Sequence, residues 1–134
     1  MERIGIKTKN RAELVDITDT IQSAASRAKI KDGVCFVFCP HTTAGLTINE
    51  NADPSVREDI VGSLKRMVPA DRAYAHSEGN SDSHIKASIF GSSLNIFVEE
   101  GRLCLGRWQG VYFCEGDGPR SREVWVKFIA SEMR

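Results

Sequence analysis

The chain has no long apolar run. Its longest, Val34 to Cys39, falls far short of the ~20 residues that a membrane-spanning helix needs, and the opening MERIGIKTKN holds no apolar segment of signal-peptide length. The cytoplasm is the expected compartment, with no membrane as partner. Net charge is missing as well, since eighteen Lys and Arg balance eighteen Asp and Glu. A neutral whole-molecule field steers toward neither nucleic acid nor an anionic lipid surface, which leaves only a local basic patch for such binding. No repeat, low-complexity tract or linker interrupts the 134 residues, so residues 1–134 are expected to form one domain that closes a core without staples. Hydrophobic residues at 41% and charged residues at 27% exclude intrinsic disorder.

Cysteine is limited to four positions, each in an apolar, strand-like run: Cys35 and Cys39 in VCFVFC, Cys104 in LCL and Cys114 in VYFCE. That setting suits buried, reduced thiols that pack as small hydrophobes, with a redox pair or a thiolate metal site as alternatives. Histidine is scarcer still. His41 lies in PHTTAG, while His76 and His84 bracket HSEGNSDSH, all in polar, turn-forming stretches with few bulky apolar neighbours.

Periodicity supplies the elements. Alternation in RIGIKT and ELVDIT predicts two strands joined by a turn near Lys9 to Ala12. TDTIQSAASRAKI reads as a helix capped by Thr18 or Asp19, with Ile21, Ala24, Ala25 and Ala28 as its apolar stripe and Gly33 as its break. VCFVFC, apolar at both alternating sets of positions, predicts a strand covered on both faces. GLTINEN is extended, and Asp53 before Pro54 caps a helix carrying Val56, Ile60, Val61, Leu64 and Val68. Pro69 to Asp82 shows no period and is a loop. SHIKASIFG is a short helix, capped by Asp82 or Ser83 and stopped by Gly91, with His84 in its first turn. SLNIFVEE, RLCLG, GVYFCEG and REVWVKFIA are strands, so the fold class is α+β, β-rich and antiparallel.

Several segments carry candidate chemistry. Three neutral imidazoles can hold zinc or another divalent transition metal with a position open for water, and Glu78 and Asp82 can orient an imidazole or act as base; alternatively the three rings are unrelated and bond to nearby backbone. EGDGPRSR bends the chain before Arg120 and Arg122, which can grip a phosphate or carboxylate beside free backbone N–H groups, or form a hairpin turn with solvated charges. Thr42 and Thr43 offer a further anion contact or act as turn caps. Trp108 and Gln109 in GRWQGV suit a pocket wall, a subunit contact or core packing. In NENADPSVRED, capping accounts for most polar residues and leaves Asn49 and Glu50 as candidates.

Three segments, HTTAGLTINENADPSVREDI, HSEGNSDSHIKASIFGSSL and LGRWQGVYFCEGDGPRSREV, resemble the hallmark segments of the YjbQ-like family, also labelled secondary thiamine-phosphate synthase. The likeness runs over nearly the whole chain and is closest from about residue 34 to 127. It implies a jelly-roll-like β-sandwich with two main helices and one short helix packed outside, a homotrimer, and His41, His76 and His84 converging on one metal, usually zinc. The implied reaction joins a pyrimidine diphosphate to a thiazole phosphate with loss of pyrophosphate, Arg120 and Arg122 holding the small phosphorylated substrate. A zinc-dependent hydrolase of a phosphate ester or amide and a non-catalytic metal- or metabolite-binding trimer are the rival expectations. EGDGPR departs from the EFDGPR-like form of close relatives, and Gly116 in place of the aromatic is expected to loosen that wall of the pocket.

Overall fold

Eight strands and three helices make up this computed structural model, which describes residues 1–131. The order is β1 (Glu2–Lys7), β2 (Glu13–Asp16), α1 (Thr18–Ala28), β3 (Gly33–Phe38), β4 (Ala44–Glu50), α2 (Pro54–Met67), α3 (Ser81–Phe90), β5 (Ser93–Glu99), β6 (Arg102–Leu103), β7 (Gln109–Glu115) and β8 (Ser121–Ala130). Five strands make one sheet in the order β1-β8-β3-β5-β6, and three make a second in the order β2-β7-β4. Neighbours pair antiparallel throughout. The fold is thus the expected α+β, β-rich antiparallel sandwich.

The core lies between the sheets. Cys35, Val37, Ile96, Val98, Val124 and Val126 from the larger sheet meet Leu46, Val111 and Phe113 from the smaller, and α1 adds Ile21 and Ala24. Because α2 and α3 pack on the outer face of the smaller sheet through Ile60, Val61 and Phe90, its central strand β7 is buried on both faces, with Tyr112 and Cys114 turned toward the helices. β3 was expected to be the doubly covered strand, and it is not. Phe36 and Phe38 on its outer side are 41% and 42% exposed, because no helix lies over the larger sheet there.

Local details refine the periodic reading. β1 and β2 do not pair with each other: β1 joins β8 and β2 joins β7, so the turn between them carries the chain from one sheet to the other. The Glu13 carboxylate holds that turn, accepting from the Lys9 and Asn10 N–H groups at 2.6 and 2.7 Å. At the start of α1 the capping acceptor is Asp16, which receives the Thr18 N–H and hydroxyl, and the helix stops at Ala28 with Lys29 left-handed at φ 54°, before Gly33 is reached. α2 starts as expected, with Asp53 accepting from the Ser55 N–H at 3.0 Å and Pro54 in the first turn. α3 begins two residues early, after Asn80, which places Asp82 inside its first turn. Gly45 is required where β4 crosses the end of α3, because a Cβ there would meet the Gly91 carbonyl at 2.8 Å.

All four cysteines are free thiols, and three are buried; Cys104 is exposed, against the expectation, since β6 ends at Leu103. Burial pushes the Cys35 thiol up to about 12 and raises those of Cys39 and Cys114, which keeps all three protonated as packing groups. No helix among the described residues is long and apolar enough to cross a membrane.

Candidate functional site

The polar segments HTTAG, HSEGNSDSH and EGDGPRSR meet where β4 begins and β7 ends, because Ala44 is paired with Glu115. EGDGPRSR is not a hairpin turn: β7 belongs to the smaller sheet and β8 to the larger, so the segment crosses between layers. Its charges are turned inward. Arg122 is 8% exposed and its guanidinium donates to both oxygens of Glu115, itself 4% exposed, and to the Thr43 hydroxyl at 2.8 Å. The Thr8 hydroxyl donates to the same carboxylate at 2.7 Å. Burial alone would raise the Glu115 pKa, but hydrogen bonds from Arg122 and Thr8 outweigh it and hold the group below its ordinary value.

The backbone of this segment is equally occupied. The Gly116 and Asp117 N–H groups each donate to Glu115 Oε2 at 3.0 Å, Gly116 N–H also reaches the Thr43 carbonyl at 3.0 Å, and Gly118 N–H reaches the Arg11 carbonyl at 3.0 Å. The expected row of free N–H groups for a phosphate does not exist here, and Arg122 and Thr43 are spent on a buried lock. Gly116 does not loosen a wall either. A Cβ on it would come within 2.8 Å of the Thr43 carbonyl and 3.2 Å of Ser83 Cβ, so glycine lets β7 close onto α3, whose Ser83 hydroxyl donates to the Gly116 carbonyl.

Beside this lock lies a second ion cluster. Asp82 is wholly buried and accepts from Arg11 in bidentate fashion at 2.9 and 3.0 Å and from Lys86 at 3.1 Å. Burial would raise its pKa, yet these two cations prevail and hold it at about 2. A carboxylate so engaged does not serve as a proton acceptor, the role expected for Asp82 from the sequence. Asp117 forms the next link, accepting from Asn80 Nδ2 at 2.9 Å and from Arg120 Nη2 at 3.0 Å. Arg120 stays exposed and Thr42 is exposed beside the buried Thr43. Asn80 Oδ1 is buried and has no hydrogen-bond partner.

His76 and His84 come together, ring centroids 5.4 Å apart and edge to face, with Glu78 Oε2 at 3.6 Å from His76 Nε2. His41 is engaged elsewhere. Its Nε2 lies 3.0 Å from the Glu123 backbone nitrogen and 3.1 Å from the Glu123 carbonyl, and its ring meets Phe113 edge-on. Burial lowers the His41 pKa, and the nearby Arg122 charge adds to the effect. Among the described residues no three His, Cys, Asp or Glu side chains are grouped to hold a metal ion. The expected zinc or other divalent metal centre of His41, His76 and His84 therefore does not fit this chain: two rings pair across one loop while the third is tied to the β8 backbone.

Asn49, Glu50, Trp108 and Gln109 belong to the opposite end of the smaller sheet, where Glu50 pairs with Gln109. Glu50 and Gln109 lie six strand steps from Ala44 and Glu115, roughly 20 Å at strand rise. Their roles there are local. Asn49 Oδ1 accepts from the Glu50 N–H, Glu50 Oε2 from the Ala52 N–H and Gln109 Oε1 from the Gly106 N–H. Trp108 is 55% exposed, with Arg107 stacked 4.8 Å over its ring, so it is no core residue. Sequence reasoning passed over Arg11, Asn80, Lys86, Glu115 and Asp117. Asp82 and Lys86 carried a signal, a carboxylate and a lysine four apart on one helix; Arg11 carried none.

These features define a class: antiparallel α+β sandwiches with a charged lock at the sheet crossing and a polar histidine loop beside it. Within that class the chain belongs to the family described as UPF0047 protein YjbQ-like, whose model matches residues 2–131. A UPF0047 protein of Methanocaldococcus jannaschii is 54% identical over 127 residues, covering 95% of this chain and 92% of the relative. YugU of Bacillus subtilis is 44% identical over 130 residues, covering 96% and 98%. A crystal structure from Clostridium acetobutylicum, described as an uncharacterized conserved protein of the same family, superposes with TM-score 0.94 at 51% identity, over 96% of this chain and 100% of that one. A Sulfolobus solfataricus structure with TM-score 0.92 and 32% identity, over 97% and 96%, is described as a protein of unknown function.

None of these relatives bears a thiamine-phosphate synthase name. With no metal-ligand group among the described residues, the expectation of a metal-dependent thiamine-phosphate synthase is overturned, and so is that of a zinc hydrolase or metal-holding trimer.

Proposed function

We propose that the open polar surface formed by His76, Asn80, His84 and the Asp117–Arg120 pair binds a small phosphorylated metabolite through side-chain donors alone. No reaction is assigned to it. The observation that carries this reading is the close pair of His76 and His84, ring centroids 5.4 Å apart, beside the Asn80–Asp117–Arg120 hydrogen-bond chain. Arg120 spends its Nε and one Nη2 donor on Asp117, so the rest of its donors and the two imidazoles are available for anionic oxygens.

Glycerol phosphate is a suitable probe, since it offers both anionic oxygens and hydroxyl donors. Titrated into the protein, it is expected to shift the backbone amide resonances of 76–84 and 117–120, with affinity falling about ten-fold in each of His84→Ala and Arg120→Ala. Resonances unmoved at millimolar probe would reject the reading.

The same proposal includes association of three chains through the bare face of the larger sheet. Phe97 and Ile129 are 69% and 54% exposed there, next to Phe36 and Phe38, and Phe38 stacks on Trp125 at 5.6 Å. An apolar patch of this kind on a soluble domain marks a contact surface. Light scattering is expected to give three times the 14.8 kDa chain mass, and Phe97→Lys is expected to give single chains. A monomeric natural protein would end this part of the proposal.

A further inference from the structure

A cleft separates α2 from the turn between β1 and β2. It encloses about 470 Å³, within the range of small-molecule pockets and many times larger than a packing void. Ala12, Val61, Pro69 and Ala70 give it apolar walls, and Lys65 and Lys86 add charge. Its existence follows from how α2 is seated. The helix buries none of its residues fully, and Val56, Ile60, Val61 and Leu64 are all only half-buried, so α2 rides above the smaller sheet. A groove of about 490 Å³ beside Leu14 and Arg57 continues the same gap along the helix.

The charges of the cleft are arranged unequally. Arg11, Lys65 and Lys86 face two carboxylates, Asp71 and Asp82, which leaves one net positive charge. Asp82 accepts three hydrogen bonds from Arg11 and Lys86 and is wholly buried, which withholds it from a ligand. Lys86, whose side chain is only 7% exposed, spends one of its three donors on Asp82, and Arg11 spends two of its five. Spare donors from two cations, fixed in place by a buried carboxylate, therefore border an apolar space. Such donors are strong partners for an anionic oxygen and cannot move away from it without breaking the Asp82 cluster.

We infer that this cleft is a second binding site, separate from the histidine loop, for a small molecule with one anionic group and an apolar body. The apolar body lies against Val61, Pro69 and Ala70, and the anion meets Arg11, Lys65 and Lys86. The probe that tests it is 4-phenylbutyrate, set against its uncharged counterpart 4-phenylbutanol, each titrated into the isotope-labelled full chain. The carboxylate is expected to shift the amide resonances of Ala12, Val61, Ala70 and Lys86 saturably, and the alcohol to bind about ten-fold more weakly. Lys65→Glu, a change at an exposed position, is expected to weaken the carboxylate about ten-fold at unchanged melting temperature, and Val61→Trp, which fills the cleft, to abolish binding. The inference is overturned if the alcohol binds as well as the acid, if Lys65→Glu changes nothing, if the shifts fall on 76–80 instead of the cleft, or if no resonance moves because a second copy of the chain closes the cleft.

Discussion

EGDGPRSR and the stretch from His76 to Asn80 are both polar and adjacent in space, yet they have opposite fates. In the first, Glu115 and Arg122 turn inward and every backbone donor at Gly116, Asp117 and Gly118 is occupied. In the second, His76 and Glu78 are exposed and Asn80 Oδ1 has no partner. The difference comes from what lies across each segment. The first crosses between two sheets and must satisfy its charges in the interior, where an unpaired one is costly. The second precedes α3, with solvent available, so its side chains face outward, whereas Asp82 and Ser83 just inside the helix are wholly buried and paired. Polarity in a sequence thus marks both a buried structural lock and a solvent-facing stretch, and only the tertiary surroundings tell them apart.

Breaking the lock should have the largest effect. Arg122→Met leaves Glu115 buried beside Thr8 and backbone donors only, and is expected to cost about 3–5 kcal/mol in chemical denaturation. Adding Glu115→Leu should restore most of that loss; a single variant as stable as the natural protein would show the lock to be dispensable.

Asp82 stands next in size. Its folded pKa of about 2 lies below the ordinary 3.8, so the unfolded chain takes up the proton first and stability drains away as pH falls between those values. The contribution above pH 4 is about 2 kcal/mol. Acid unfolding followed by circular dichroism should show this limb, and Asp82→Asn should flatten it.

On the open side the expected costs are smaller. Asn80→Ala removes one hydrogen bond to Asp117 together with an unsatisfied acceptor, for a net loss of about 1 kcal/mol at most. His76→Ala should shift stability by no more than about 0.5 kcal/mol, because the ring is exposed, while lowering glycerol phosphate affinity. If His76→Ala destabilised the fold as much as Arg122→Met, the contrast between the two segments would disappear.

Much of the architecture was legible in the residues. Period-two runs located β1, β4 and β8, a continuous apolar run located β7, Asp53-Pro54 marked the start of α2, and Gly91 marked the end of α3. These signals are local: alternation sets which side chains share a face, and proline and glycine set which backbone angles are open. The scarcity of histidine and its confinement to polar segments pointed to a shared metal, which the placement of His41 on the Glu123 backbone does not support. The pairing of His76 with His84 was within reach of that reasoning because both flank one short loop. The attachment of His41 to the β8 backbone was not, since Glu123 lies 82 positions away.

The sequence by itself therefore determined the element inventory, the antiparallel α+β class and the family, because each rests on local spacing or on residues matched in order. Tertiary structure alone decided which face of β3 stays bare, which arginine is locked and which is free, and that Arg11 comes to Asp82 across 71 positions. Burial and charge pairing depend on which layers the chain brings together, and no short stretch of residues encodes that.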